Sequence, residues 1–221
     1  MINALIFDFD GLILDTETPE FDVWQEIYRE FDQDLNVEMW GQIVGGHAAS
    51  NFRPHPYLQT LTGRDLTHLN LVARASEQAL ARIHTLPPLP GVLDMLNAAQ
   101  QMGLRLAVAS SSPHSWVDGH LARLGLLSFF EVIRCADDVA RTKPQPDLYL
   151  AALDALKVRA DQAIAFEDSP NGVCAAHSAG LFVVAIPNPV TAPLSFTGES
   201  LRLCAMTDLS LKELLAVAKP S

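Results

Sequence analysis

ALIFDFDGLILDTE, residues 4–17, runs four apolar residues straight into Asp8 and then adds Asp10, Gly11 and Asp15. An apolar run this short, bounded by turn-forming residues, reads as a buried strand. A carboxylate at the end of a buried strand is costly unless a cation pairs with it. The stretch therefore predicts a strand that delivers negative charge to a site where positive charge is waiting.

The rest of the chain supplies the frame. Of 221 residues 49% are hydrophobic, enough for one sizeable core, and the formal net charge is −11. Such a balance argues against nucleic acid as partner, which calls for a basic face. The first apolar run meets Asp8 too soon for a signal peptide. LFVVAI at 181–186 is far too short to span a bilayer. No membrane partner is expected, and a cytoplasmic location is. Cys135, Cys174 and Cys204 are odd in number and far apart, and read as small buried hydrophobes.

Residues 18–84 carry helical periodicity. In EFDVWQEIYREF, Phe21, Trp24, Ile27, Tyr28 and Phe31 share a stripe, and LTHLNLVARASEQALARIH reads as one long helix. Thr18 and Pro19 read as cap and first residue of the first helix. LPPLPGV at 86–92 is the sharpest punctuation, and the texture changes after it. LRLAVAS (104–110), FFEVIRCA (129–136), QAIAFED (162–168), LFVVAI and LRLCA read as strands, with helices between them capped by Ser112-Pro113 and Ser169-Pro170. Strands alternating with helices predict a mostly parallel sheet. The expected fold class is α/β: a Rossmann-like parallel core, residues 1–15 and 86–221, with an α-helical cap, residues 16–85, inserted after the first strand.

In an open parallel sheet the ligand site lies beyond the C-terminal strand ends. Those ends carry Asp8-Phe9-Asp10-Gly11, Ser110-Ser111-Ser112, the loop ADDVARTKPQPD with Lys143, and Glu167-Asp168-Ser169. Asp8, Asp168 and the Asp10 carbonyl are hard oxygen ligands suited to Mg²⁺. Lys143 and the Ser110 hydroxyl suit phosphoryl oxygens. Asp10 is placed for general acid/base work, and Asp8 for an aspartyl-phosphate. Ser112, before Pro113, reads as a helix cap and Asp15 as a cap or hinge group.

These motifs resemble the haloacid dehalogenase superfamily, in the branch with a helical cap that includes β-phosphoglucomutase-like phosphatases. DFDGLILDTE resembles the nucleophile loop, LAVASSS the hydroxyl motif, KPQPD the lysine motif and FEDSPNG the acidic metal motif, in order and over essentially the whole chain. The resemblance implies Asp8 as nucleophile, Asp10 as acid/base, and Ser110 and Lys143 as phosphate binders. Backbone groups around Gly11 and Ser111 are implied to assist them. It implies Mg²⁺ held by Asp8, the Asp10 carbonyl and Asp168, with Glu167 contributing directly or through water. It also implies that 16–85 closes over substrate.

Dehalogenases of this family lack the second aspartate, so Asp10 points to phosphoryl transfer. Phosphonatases use a cap lysine, and residues 16–85 contain none. A phosphosugar mutase grips a second phosphate with a cap arginine, where this chain has Ala48, and carries a histidine where Glu20 stands. A Mg²⁺-dependent hydrolase of a small phosphomonoester, a sugar phosphate or nucleotide-like monophosphate, is the favoured expectation, with the mutase as runner-up. In the cap, His47 after Gly45-Gly46, Arg53 and Trp24 are candidate substrate contacts. A cap that closes the site predicts a monomer.

Overall fold

The fold is described from a computed structural model covering residues 1–41, 44 and 52–218. Its centre is β1 (Ala4–Phe7), whose four residues are all buried. Strands β2 (Arg105–Ala109), β3 (Val132–Arg134), β4 (Ala163–Glu167), β5 (Phe182–Ala185) and β6 (Leu201–Arg202) complete a six-stranded sheet in the order β3-β2-β1-β4-β5-β6. Every pairing is parallel, with Phe7 opposite Val108 on one side and Phe166 on the other. The order reverses at β1, so the loops after β1, β2 and β4 open onto one edge. That is where a doubly wound sheet places its ligand.

Alternating side chains of β1 feed two apolar layers. Ala4 and Ile6 pack with α7 (Asp147–Leu156) and α8 (Pro170–Ser178). Leu5 and Phe7 face α5 (Val92–Gln101), α6 (His114–Arg123) and α9 (Leu211–Val217). In that second layer Phe7 stacks on Phe166 at 4.7 Å.

Between β1 and α5 lie α1 (Glu17–Arg29), α2 (Val37–Trp40), α3 (Pro54–Thr62) and α4 (Leu71–Ile83). No strand interrupts them among the described residues. The return to the sheet is fixed by hydrogen bonds. Arg123 donates to the carbonyls of Ile83, His84 and Leu86, and the Leu89 N–H donates to Ile13. No helix of the described residues is long and apolar enough to cross a membrane.

Several local expectations are corrected. The first helix starts at Glu17, two residues earlier than expected, and the Asp15 carboxylate accepts the Thr18 N–H in its first turn at 3.0 Å. Thr18 and Pro19 therefore sit inside it. The long helix before residue 84 is broken, a 3₁₀ turn at Thr67–Leu69 ending in Asn70 with φ of 50°. Residues 129–136 yield only a three-residue strand, since Leu127–Phe129 is a 3₁₀ turn. Ser112 does not cap α6; that helix's first N–H, on His114, is met by Asp137 at 2.7 Å. Cys135 is buried as expected, but Cys174 and Cys204 are exposed.

Candidate active site

The strand ends deliver four charged side chains into one buried cluster. Asp8 leaves β1 with its Oδ1 accepting the Phe9 N–H at 2.7 Å. Lys143, from the loop before α7, places Nζ 2.6 Å from Asp8 Oδ1 and 2.7 Å from Glu167 Oε1. Its side chain is 1% exposed. Burial alone would lower the lysine pKa, but Asp8 and Glu167 outweigh it and hold the ammonium charged. Asp8 goes the other way. Burial and then the Glu167 charge push its carboxyl up to about 8, more than Lys143 offsets.

Glu167 is wholly enclosed. The Tyr149 hydroxyl donates to its Oε1 at 2.5 Å and Ser169 Oγ approaches Oε2 at 3.4 Å. Burial first, then the Glu167 charge, raise the phenol well above 10, so it stays a donor. Gly172 lies against the carboxyl group, and a Cβ there would stand 1.9–2.0 Å from it. The motif glycine is thus required by the glutamate, not by backbone conformation. Ser169 also caps α8 by accepting the Gly172 N–H, as its place before Pro170 predicts.

Asp168 is held by a residue that sequence reading missed. Asn188 Nδ2 donates to Asp168 Oδ2 at 2.7 Å and reaches the Gly11 carbonyl at 3.4 Å. Gly11 has φ of 78°, and a Cβ there would lie 2.3 Å from Asp168 Oδ2. The loop after β1 can pass this close to the acidic strand end only with glycine. Asp168 Oδ1 is buried without a hydrogen-bond partner. Carboxylate oxygens of Asp8, Glu167 and Asp168 all lie within 4.8 Å of one another. Three buried carboxylates with one lysine, and an orphaned oxygen among them, fit a hard divalent cation.

Asp10 occupies a separate, polar niche. Its Oδ1 accepts from Thr16 Oγ1 at 3.0 Å and Trp116 Nε1 at 2.8 Å. Its Oδ2 accepts from Ser112 Oγ at 2.6 Å and Ser110 Oγ at 3.3 Å. Ser110 Oγ in turn accepts the Ser112 N–H at 3.0 Å. Ser112 thus acts on Asp10, not on the helix end. Ser111 is half-buried beside it. Glu17, in the first turn of α1, joins the same acidic field. Loss of water around it, then Glu20, Asp10 and Asp8, raise its carboxyl well above 4.5.

The remaining candidates are not in this cluster. Trp24 is buried in the apolar layer that α1 shares with the sheet. Arg53 is exposed at the start of α3, its Nη1 donating to the Phe52 carbonyl at 2.7 Å. His47 lies outside the described residues.

Comparison with known proteins agrees with this arrangement. The family model described as haloacid dehalogenase-like hydrolase matches residues 5–186. The protein YhcW of Bacillus subtilis (strain 168) is 46% identical, with 97% of each chain covered. Validoxylamine A 7'-phosphate phosphatase of Streptomyces hygroscopicus subsp. limoneus is 30% identical, covering 100% of this chain and 98% of that one. Among solved structures, CbbY of Rhodobacter sphaeroides in complex with xylulose-(1,5)bisphosphate superposes with a TM-score of 0.75 at 26% identity, both chains covered in full. With this match over most of its length, the chain belongs to the haloacid dehalogenase-like hydrolases and is a phosphatase of that family, a phosphoric monoester hydrolase.

Proposed function

We propose that this phosphatase is Mg²⁺-dependent and hydrolyses a small phosphomonoester, a sugar phosphate or nucleotide-like monophosphate, through an aspartyl-phosphate on Asp8. The observation that carries the reading is the pairing of Asp8 with Lys143 at 2.6 Å inside a three-carboxylate cluster. Asp8, the Asp10 carbonyl and Asp168 would hold the cation, with Glu167 beside them. When bound, it supplies charge that lets an anionic phosphate approach an anionic nucleophile.

An Asp8 carboxylate oxygen attacks phosphorus as the bond to the leaving oxygen breaks. Asp10 gives that oxygen a proton. Asp10 then takes a proton from water, whose oxygen attacks phosphorus, freeing phosphate and regenerating Asp8. Lys143 and the Ser110 hydroxyl meet the phosphoryl oxygens as charge shifts onto them. Backbone groups at Gly11 and Ser111 assist.

Residues 16–85 form, in this reading, the cap over the core of 1–15 and 86–221. Its support is the Asn171 amide, at the start of α8, donating to the Val44 carbonyl at 3.0 Å. His47, Arg53 and Trp24 are the cap groups proposed to meet the leaving group.

A chromogenic aryl phosphate, with and without Mg²⁺, tests the mechanism. Turnover is expected only with the metal, and Asp8→Asn abolishes it. Phosphate release across a metabolite panel identifies the substrate. Conversion of β-glucose 1-phosphate to the 6-phosphate without net phosphate release would replace the hydrolase with the mutase.

A further inference from the structure

The niche around Asp10 contains a residue with no evident place in the phosphate site. Trp116 lies in the first turn of α6 and is half-buried. Its indole N–H reaches across to Asp10 Oδ1 at 2.8 Å, a normal charge-assisted length. An indole can only donate, so the contact commits Asp10 to the acceptor role at that oxygen. The ring is itself fixed. His120, one helical turn on, packs edge-on against it with centroids 4.3 Å apart. His120 also contacts Phe9 at 6.1 Å, next to Asp10 in the chain, and His84 at 5.4 Å.

Asp10 needs such support. Its neighbours Asp8, Glu17 and Glu20 are all carboxylates, each pushed up by burial and in part by the Asp10 charge. The other donors to Asp10 are hydroxyls of Thr16, Ser110 and Ser112, which rotate. The indole N–H is the single donor of the set whose direction is locked by a packed ring.

We propose that Trp116 is a positioning residue, which fixes the plane of the Asp10 carboxylate so that Oδ2, whose donors are the rotatable hydroxyls of Ser110 and Ser112, is turned to the leaving oxygen. The proposal rests on the reading of Asp10 as general acid/base. The single N–H of the Trp116 indole is given to Asp10 and not to the Asp8–Lys143 pair, so its loss should act on turnover and leave substrate binding in place.

Trp116→Phe removes the donor and keeps an aromatic ring against His120. With an aryl phosphate and saturating Mg²⁺, kcat is expected to fall about tenfold, the scale of one hydrogen bond to a charged group. KM is expected to change by less than about twofold. The signature that simple packing would not give is a double-mutant cycle with Asp10→Asn. Once Asp10 is neutralised, Trp116→Phe should cost nothing further in kcat. His120→Ala, which loosens the ring but leaves the donor, should give an intermediate loss. An equal loss from Trp116→Phe in both backgrounds, or a loss appearing in KM, would overturn the proposal. If Asp10→Asn alone leaves kcat unchanged, it is the acid/base reading that fails. Thermal melting of each variant separates unfolding from these effects. Should Trp116→Phe melt below the assay temperature, the same cycle is run with Trp116→Tyr.

Discussion

The strand ends and the helical segment 17–83 handle charge in opposite ways. At the strand ends Lys143 and Glu167 are sealed from water, each carboxylate has a fixed partner, and even the glycines are dictated by neighbouring side chains. In the helices, Arg82 and Glu26 pair at 2.6 Å with about half of each side chain in solvent. One region holds charge by enclosure, the other by surface contact. Enclosed charge leaves little freedom, so the strand ends spell out chemistry. In the proposed reading, substrate choice resides in the helices.

The sharpest way to break that contrast is Lys143→Met. Among the described residues the ammonium is the one cation paired with Asp8 and Glu167. Its removal leaves uncompensated buried carboxylates, a loss of roughly 3–5 kcal/mol in stability without metal. Turnover should fall by about two orders of magnitude or more, since phosphoryl charge loses a fixed donor. Urea denaturation and steady-state rates measure both. Added Mg²⁺ should restore part of the stability and little of the turnover. A variant as stable as the parent would mean the cluster is not held by enclosed charge.

Gly172→Ala comes next. The new Cβ meets the Glu167 carboxyl at 1.9–2.0 Å, and Tyr149 and Lys143 fix that carboxyl from the other side. Overpacking of this kind costs about 1–3 kcal/mol. Gly119→Ala in α6, where a Cβ meets nothing within 4 Å, should instead stabilise by about 0.5–1 kcal/mol. Melting curves of the pair test whether the constraint is local to the cluster.

How much of this was legible in the sequence follows from range. Asp8, Glu167 and Asp168 stand at strand ends and Lys143 in the loop that follows β3, and parallel topology brings these to one edge. Asn188, Tyr149 and Trp116 were not legible as site residues. Tyr149 reads as one more apolar position on the α7 stripe, and only the fold shows its hydroxyl aimed at Glu167. Trp116 likewise reads as helix packing until α6 is set beside the β1 loop. Asn188 Oδ1 accepts locally from the Val190 and Thr191 N–H groups. Its amide nitrogen, pointing at Asp168, carried no local signal. Ser112 was misread because a serine before proline resembles a cap, while α6 draws its cap from Asp137. In the helices, periodicity placed Trp24 and Tyr28 in the core but could not fix where each helix begins.

A smaller effect is expected at His114, between the two regimes. Its ring nitrogens lie 3.1 Å from Asp118 and 2.8 Å from Asp138. Burial lowers its pKa, and the two carboxylates reverse that, leaving it above 6.5. A folded value above the unfolded one adds stability that is complete below about pH 6.5 and fades as pH rises through the folded value. His114→Gln should therefore lower the melting temperature more at about pH 5.5 than at about pH 9. A pH-independent deficit would show that the imidazole acts by packing alone.

The smallest effect is expected where charge is least enclosed. Arg82 grips both Glu26 oxygens, at 3.1 and 2.6 Å, and Arg74 meets Glu30 at 2.7 Å, so two ion pairs link α4 to α1. Arg82 holds the Glu26 carboxyl below its ordinary value, yet water screens both partners. Double-mutant cycles on such pairs return about 0.2–1 kcal/mol. The Arg82→Ala, Glu26→Ala cycle should fall in that range and shrink towards zero near 1 M salt, where the screening length is about 3 Å. Turnover of the aryl phosphate should not move, because neither residue reaches the strand ends. A coupling above about 2 kcal/mol that survives salt would exceed what an exposed pair supplies. It would mean that charge between α1 and α4 is as constrained as charge around Lys143, and the division between a fixed sheet edge and an adaptable helical segment would fall.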